Sequence, residues 1–117
     1  MLRKKLTVYD YLKSKGKKQL SNLFVHTVKE AEAAEEAGID YIVAAHDLPQ
    51  FGINASLNDV KKIREIAPNC FMQSASPIPP ASEYEAIKYA QEYLSFGVDC
   101  IYVGNHSLKW IKAMRDN

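Results

Sequence analysis

Apolar runs of strand length alternate with helical segments four times along this chain, and this alternation constrains its fold more than any other feature. The runs are Leu20–Val25, Tyr41–Ala45, Cys70–Gln73 and Cys100–Val103, and each leads into a segment with helical periodicity. Short continuous apolar runs are how strands buried on both faces read. Strands separated by helices pair in parallel through right-handed crossovers, so the expected class is α/β. Four consecutive strand–helix units amount to half of a TIM (β/α)8-type barrel. Here a short helix over Thr7–Lys15 precedes them, with Thr7 as cap and Gly16 as stop.

Local signals mark the joints. Thr27–Ala37 offers a small-residue face of Val28, Ala31, Ala34 and Ala37 among glutamates, and Gly38 ends it. Ser56 or Asn58 opens a helix in which Leu57, Val60, Ile63 and Ile66 recur every three residues. Ser82 caps the longest helix, Glu83–Phe96, before Gly97, and Ser107 caps the last, which carries Leu108, Ile111 and Met114. Gly38-Ile39-Asp40-Tyr41-Ile42 returns as Gly97-Val98-Asp99-Cys100-Ile101, each leading from a helix stop through an aspartate into a strand. The repeat spans two strand–helix units, as duplicated barrel modules would.

Size complicates closure. A closed eight-stranded barrel needs about 250 residues, and the chain has 117. It is expected to be one partial barrel domain over 1–117, completed by more chain or by another copy; an open flavodoxin-like sheet is the alternative. A half-barrel exposes apolar strand edges, so a homo-oligomer is expected. Strand order separates these architectures: sequential 1-2-3-4 for a barrel, 2-1-3-4 for the open sheet.

The formal net charge is +1, which favours no particular partner. Arg3, Lys4, Lys5, Lys13, Lys15, Lys17 and Lys18 cluster near the start against Asp10 alone. No aromatic platform or groove-reading motif accompanies them, so a solvated helix is expected and no nucleic-acid partner. Cys70 and Cys100 lack C-x-x-C spacing and read as buried, reduced thiols. No apolar stretch approaches the roughly eighteen residues of a membrane span, and no apolar leader opens the chain. A cytoplasmic protein without a membrane partner is the expectation.

In parallel α/β folds ligands lie at the C-terminal strand edge. That edge holds His26 and Thr27 after the first strand, His46 and Asp47 after the second, Ser74 and Ser76 at the third, and Tyr102, Asn105 and His106 at the fourth. All three histidines of the chain fall there. Imidazole titrates near neutrality, so His26, His46 and His106 are candidates for acid–base work, with Asp47 orienting a ring. Ser74, Ser76, Tyr102 and Asn105 are candidate substrate contacts. Helix capping is the plainer role for Asp47 and Ser107. A three-histidine metal site is not expected, because His106 stands two strands beyond His46. Asp10, Glu30, Glu32, Glu35 and Glu36 are expected to face solvent from helices.

These strand ends and their flanks resemble the N-terminal half of ketopantoate hydroxymethyltransferases, in the phosphoenolpyruvate mutase and isocitrate lyase barrel superfamily. Thr7-Val8-Tyr9-Asp10 with Lys13–Lys18, Ala33–Val43, Ala67-Pro68-Asn69-Cys70 and Glu85–Gly97 with the strand that follows carry the resemblance. It implies a divalent ion, typically Mg2+, holding a small 2-oxo acid during carbon–carbon bond formation. At the family's metal-binding aspartates this chain has His46 and Ala75, so the implied Mg2+ ligands are not retained. The reading is therefore a divergent enzyme of the 2-oxo-acid group. A non-catalytic barrel relative used for binding or assembly, and a flavodoxin-like module, are the alternatives.

Overall fold

The computed structural model describes residues 4–45, 57–75, 81–102 and 107–117. Elements run α1 (Val8–Ser14), β1 (Asn22–Val25), α2 (Val28–Ala37), β2 (Tyr41–Ala45), α3 (Leu57–Ile66), β3 (Phe71–Ala75), α4 (Glu83–Ser95), β4 (Cys100–Tyr102) and α5 (Leu108–Asp116). The four strands form one parallel sheet in the order β1-β2-β3-β4. This is a partial barrel-like α/β fold, and the sequential order is not that of the flavodoxin-like sheet.

Four helices start on a side-chain cap, and glycines mark the ends of two. The Thr7 hydroxyl accepts the Asp10 N–H while the Asp10 carboxylate accepts the Thr7 N–H, a capping box at α1. Thr27, Ser82 and Ser107 cap α2, α4 and α5 by accepting the N–H three residues on. Gly38 closes α2 at φ 78°, and Gly97 follows α4 at φ 87°, conformations that an L side chain resists. Leu57 begins α3, so Asn58 lies inside that helix and is not its cap.

Alternation along the strands sorts the sheet into two sides. Val25, Ile42, Ala44 and Met72 point toward the helices. There they form the core with Ala31 and Ala34 of α2, Val60 and Ile63 of α3, and Tyr93 of α4. Tyr41, Val43, Phe71 and Gln73 point to the other side. Tyr11 of α1 packs its ring on Tyr41 and Phe71, with centroids 5.6 and 4.9 Å apart, so α1 covers the N-terminal part of that side. Toward the C-terminal strand ends, Phe24 and Tyr102 are 53% and 54% exposed.

The repeated aspartates hold the opposite, N-terminal ends of the strands. Asp40 accepts the Ser21 N–H at 3.0 Å and returns its own N–H to the Ser21 hydroxyl. Asp99 accepts the Met72 N–H at 2.9 Å and returns its N–H to the Met72 carbonyl. Each aspartate thus ties its strand to the preceding one, β2 to the lead-in of β1 and β4 to β3.

Candidate functional site

His26 follows Val25 directly, at the C-terminal end of β1. Its backbone N–H donates to Glu30 Oε2 at 2.6 Å, and its ring Nδ1 lies 3.2 Å from the same oxygen. Glu30 also sends its N–H to the Thr27 hydroxyl. The first turn of α2 therefore fixes both the start of the helix and the histidine before it. The bond from the His26 N–H holds the Glu30 carboxyl below the usual carboxylate range. Sequence reasoning placed Glu30 among solvent-facing glutamates. The signal that finds it is the Thr-x-x-Glu spacing of a capping box.

Ser74 occupies the row of Val25, Ala44 and Ile101, on the helix-facing side of the sheet. It is fully buried, and its hydroxyl donates to the Ala44 carbonyl at 2.6 Å. Its one donor is used inside the sheet, away from the side that Phe24 and Tyr102 face. Tyr102 ends β4 two rows of pairing beyond Gln73 and faces the side of Tyr41 and Phe24. His26 and Tyr102 stand on the first and last strands, so the sheet places them at opposite margins of one edge. His46, Asp47, Ser76, Asn105 and His106 lie outside the described residues.

Deeper on the open side, the Tyr41 hydroxyl donates to Gln73 Oε1 and sits 3.5 Å from Cys100 Sγ. Burial raises both the Tyr41 phenol and the Cys100 thiol above their ordinary pKa values. This polar trio and Phe24 escaped the sequence reading, because a continuous apolar run does not say which residues face which side. Glu30 is exposed, as expected of it, whereas Glu35 corrects the expectation of a solvent-facing glutamate. It is half-buried and accepts the Asn69 N–H at 3.1 Å and the Cys70 thiol at 3.1 Å, tying α2 to the turn before β3. Cys70 belongs to that turn and not to the strand. Among the described residues no group of three or more His, Cys, Asp and Glu side chains could hold a metal ion. A groove of about 310 Å³ lined by Glu83, Lys109, Lys112, Ala113, Asp116 and Asn117 is built on α4 and α5, apart from His26 and Phe24.

No family model matches the chain, and no curated protein matches it. Among solved structures it is similar to the thiamine phosphate pyrophosphorylase from Pyrococcus furiosus, at 24% identity and a TM-score of 0.63. The alignment covers 91% of this chain and 52% of that one, so this chain spans about half that length. The likeness shows the α/β fold. It also overturns the resemblance to ketopantoate hydroxymethyltransferases. The reason is physical: the residues that carried it do fold work. Gly38 and Gly97 end helices, Asp40 and Asp99 bind strand backbones, and Ala67 and Cys70 are buried in the core. Such residues report an alternating α/β chain and not its chemistry. Among the described residues no helix is long and apolar enough to cross a membrane.

Proposed function

We propose that the chain is half of a (β/α)8 barrel and binds a small phosphate-bearing ring compound at the C-terminal strand ends. One observation carries this reading: β1 presents exposed Phe24 on the side that α1 leaves uncovered and ends in His26, a ring held by Glu30. Phe24 and Tyr102 offer aromatic surface for a flat ligand. His26 supplies a polar group beside it. The name of the similar solved structure, a thiamine phosphate pyrophosphorylase, is of the same ligand chemistry. His46, Asp47, Ser76, Asn105 and His106 are proposed for the same site because each follows a strand in the sequence. His26, His46 and His106 are the groups proposed for any proton transfer.

NMR titration with thiamine phosphate, pyrophosphate and inorganic phosphate tests the proposal. Saturable shifts of the His26 ring resonances are expected with thiamine phosphate. Phe24→Ala should weaken thiamine phosphate by roughly tenfold, about 1.4 kcal/mol, while affecting pyrophosphate much less. Unmoved His26 resonances at millimolar thiamine phosphate overturn the reading.

A further inference from the structure

One row of the sheet joins an exposed aromatic ring to a polar group. Phe24, Val43, Gln73 and Cys100 are register partners across β1, β2, β3 and β4, all on the open side. Gln73 stands two strands from Phe24, roughly 10 Å at ordinary strand spacing. A flat ring laid on Phe24 therefore turns an edge toward Gln73. Val43 between them is buried and brings no polar side-chain atom.

Gln73 is held in one orientation. The Tyr41 phenol reaches it from the row nearer the N-terminal strand ends and donates its hydrogen to Oε1. A phenol has a single hydrogen, so in the 3.5 Å contact with Tyr41 the Cys100 thiol is the donor. The bonds run one way, from Cys100 to Tyr41 to Gln73. Flipping the amide would reverse both of them and give the phenol hydrogen to sulfur, a weak acceptor. Nε2 therefore points away from Tyr41, and no described residue accepts its two hydrogens. Gln73 is only half-buried, so these donors stay open on the side where Phe24 and Tyr102 are exposed.

We propose that Gln73 reads the ring of the bound compound, its Nε2 donating to a ring nitrogen or ring carbonyl oxygen of a ligand stacked on Phe24. The ligand class narrows to rings with an acceptor in the ring plane. A hydrocarbon edge displaces water from the amide and leaves its donors unpaired. Tyr41 is the positioning residue, since it fixes which arm of the amide faces the ring. This rests on the reading of the open edge as a ring-binding site and adds which rings that site accepts.

Benzyl phosphate and the three pyridylmethyl phosphates differ by one ring nitrogen. NMR titration of each, with the pyridines unprotonated, reads its dissociation constant from the His26 ring. In the parent chain at least one pyridyl ester should bind roughly fivefold more tightly than benzyl phosphate. Gln73→Met, similar in length but without a donor, should bring that ester to the affinity of benzyl phosphate. Tyr41→Phe should shrink the same ratio, because the amide is freed to turn Oε1 to the ring. Phe24→Ala should weaken all four alike. Four esters binding equally to the parent chain overturn the role of Gln73 and leave the ring site standing, as does a preference that survives in Gln73→Met. Binding by none of the four at millimolar concentration overturns both.

Discussion

Arg64 Nη1 lies 3.0 Å from Asp99 Oδ2, and this pair locks the end of α3 to the start of β4. The arginine is 11% exposed, and its other donor bonds reach the carbonyls of Ala67, Cys70 and Gly97. Asp99 meanwhile accepts from Lys5 and from the Met72 N–H. Removing the guanidinium leaves several buried acceptors and a carboxylate short of donors. Arg64→Ala should destabilise the protein by about 3 kcal/mol, read as a lower urea midpoint at unchanged slope. In a double-mutant cycle, Arg64→Ala with Asp99→Asn should lose much less than the sum of the two.

Arg64 also separates the two repeated glycines. A Cβ built on Gly38 meets nothing within 4 Å, so Gly38→Ala bears only the left-handed strain, about 1 kcal/mol. A Cβ on Gly97 would meet Arg64 Cδ at 3.2 Å and Cγ at 3.3 Å. The guanidinium is anchored on four acceptors, so that side chain has little freedom to yield. Gly97→Ala should therefore cost clearly more than Gly38→Ala in paired thermal melts. Equal losses would show that Arg64 shifts freely.

The alternation was readable because each joint carries its own chemistry: Thr27 and Ser82 at helix starts, Gly38 and Gly97 after helix ends. Strand limits were less legible, since backbone pairing sets them. The first run was expected from Leu20, but Asp40 holds Ser21 and the strand begins at Asn22. The third was expected to end at Gln73, yet pairing with β2 continues through Ser74 and Ala75. Ser74 shows why polar residues at strand ends mislead. One register step decides whether such a hydroxyl meets the open side or the helices, and a neighbouring carbonyl can satisfy it unseen. His26 was legible as a strand-end residue, but its hold by Glu30 was not, because the capping spacing was read only as helix.

Three tyrosines give the protein an alkaline limit. Burial pushes Tyr11 and Tyr93 up to about 12, and it raises Tyr41 as well. In the unfolded chain a tyrosine titrates near 10. A folded pKa above the unfolded one contributes stability that is complete below about pH 10 and is lost as pH rises toward about 12. Tyrosinate absorbance and circular dichroism should therefore change together across that window. Tyr93→Phe should remove part of the alkaline sensitivity. Ionisation of these phenols without loss of structure would contradict their burial.

At the acid end the first turn of α2 should give way. The lowered pKa of Glu30 means its carboxylate stabilises the fold above the usual carboxylate range, near 4.3 in an unfolded chain. That contribution is lost as pH falls through the folded value, because protonation weakens the bonds from the His26 N–H and ring. Thr27→Ala removes the partner cap and should cost about 1 kcal/mol at neutral pH. Glu30→Gln keeps an acceptor oxygen but no charge, so its effect on stability should be small at neutral pH and vanish in acid. Its larger effect should fall on His26, whose ring and backbone resonances should shift and broaden. Hydrogen exchange at the His26 amide, protected in the parent chain and fast in Glu30→Ala, which keeps no acceptor, reads the loss of that bond directly.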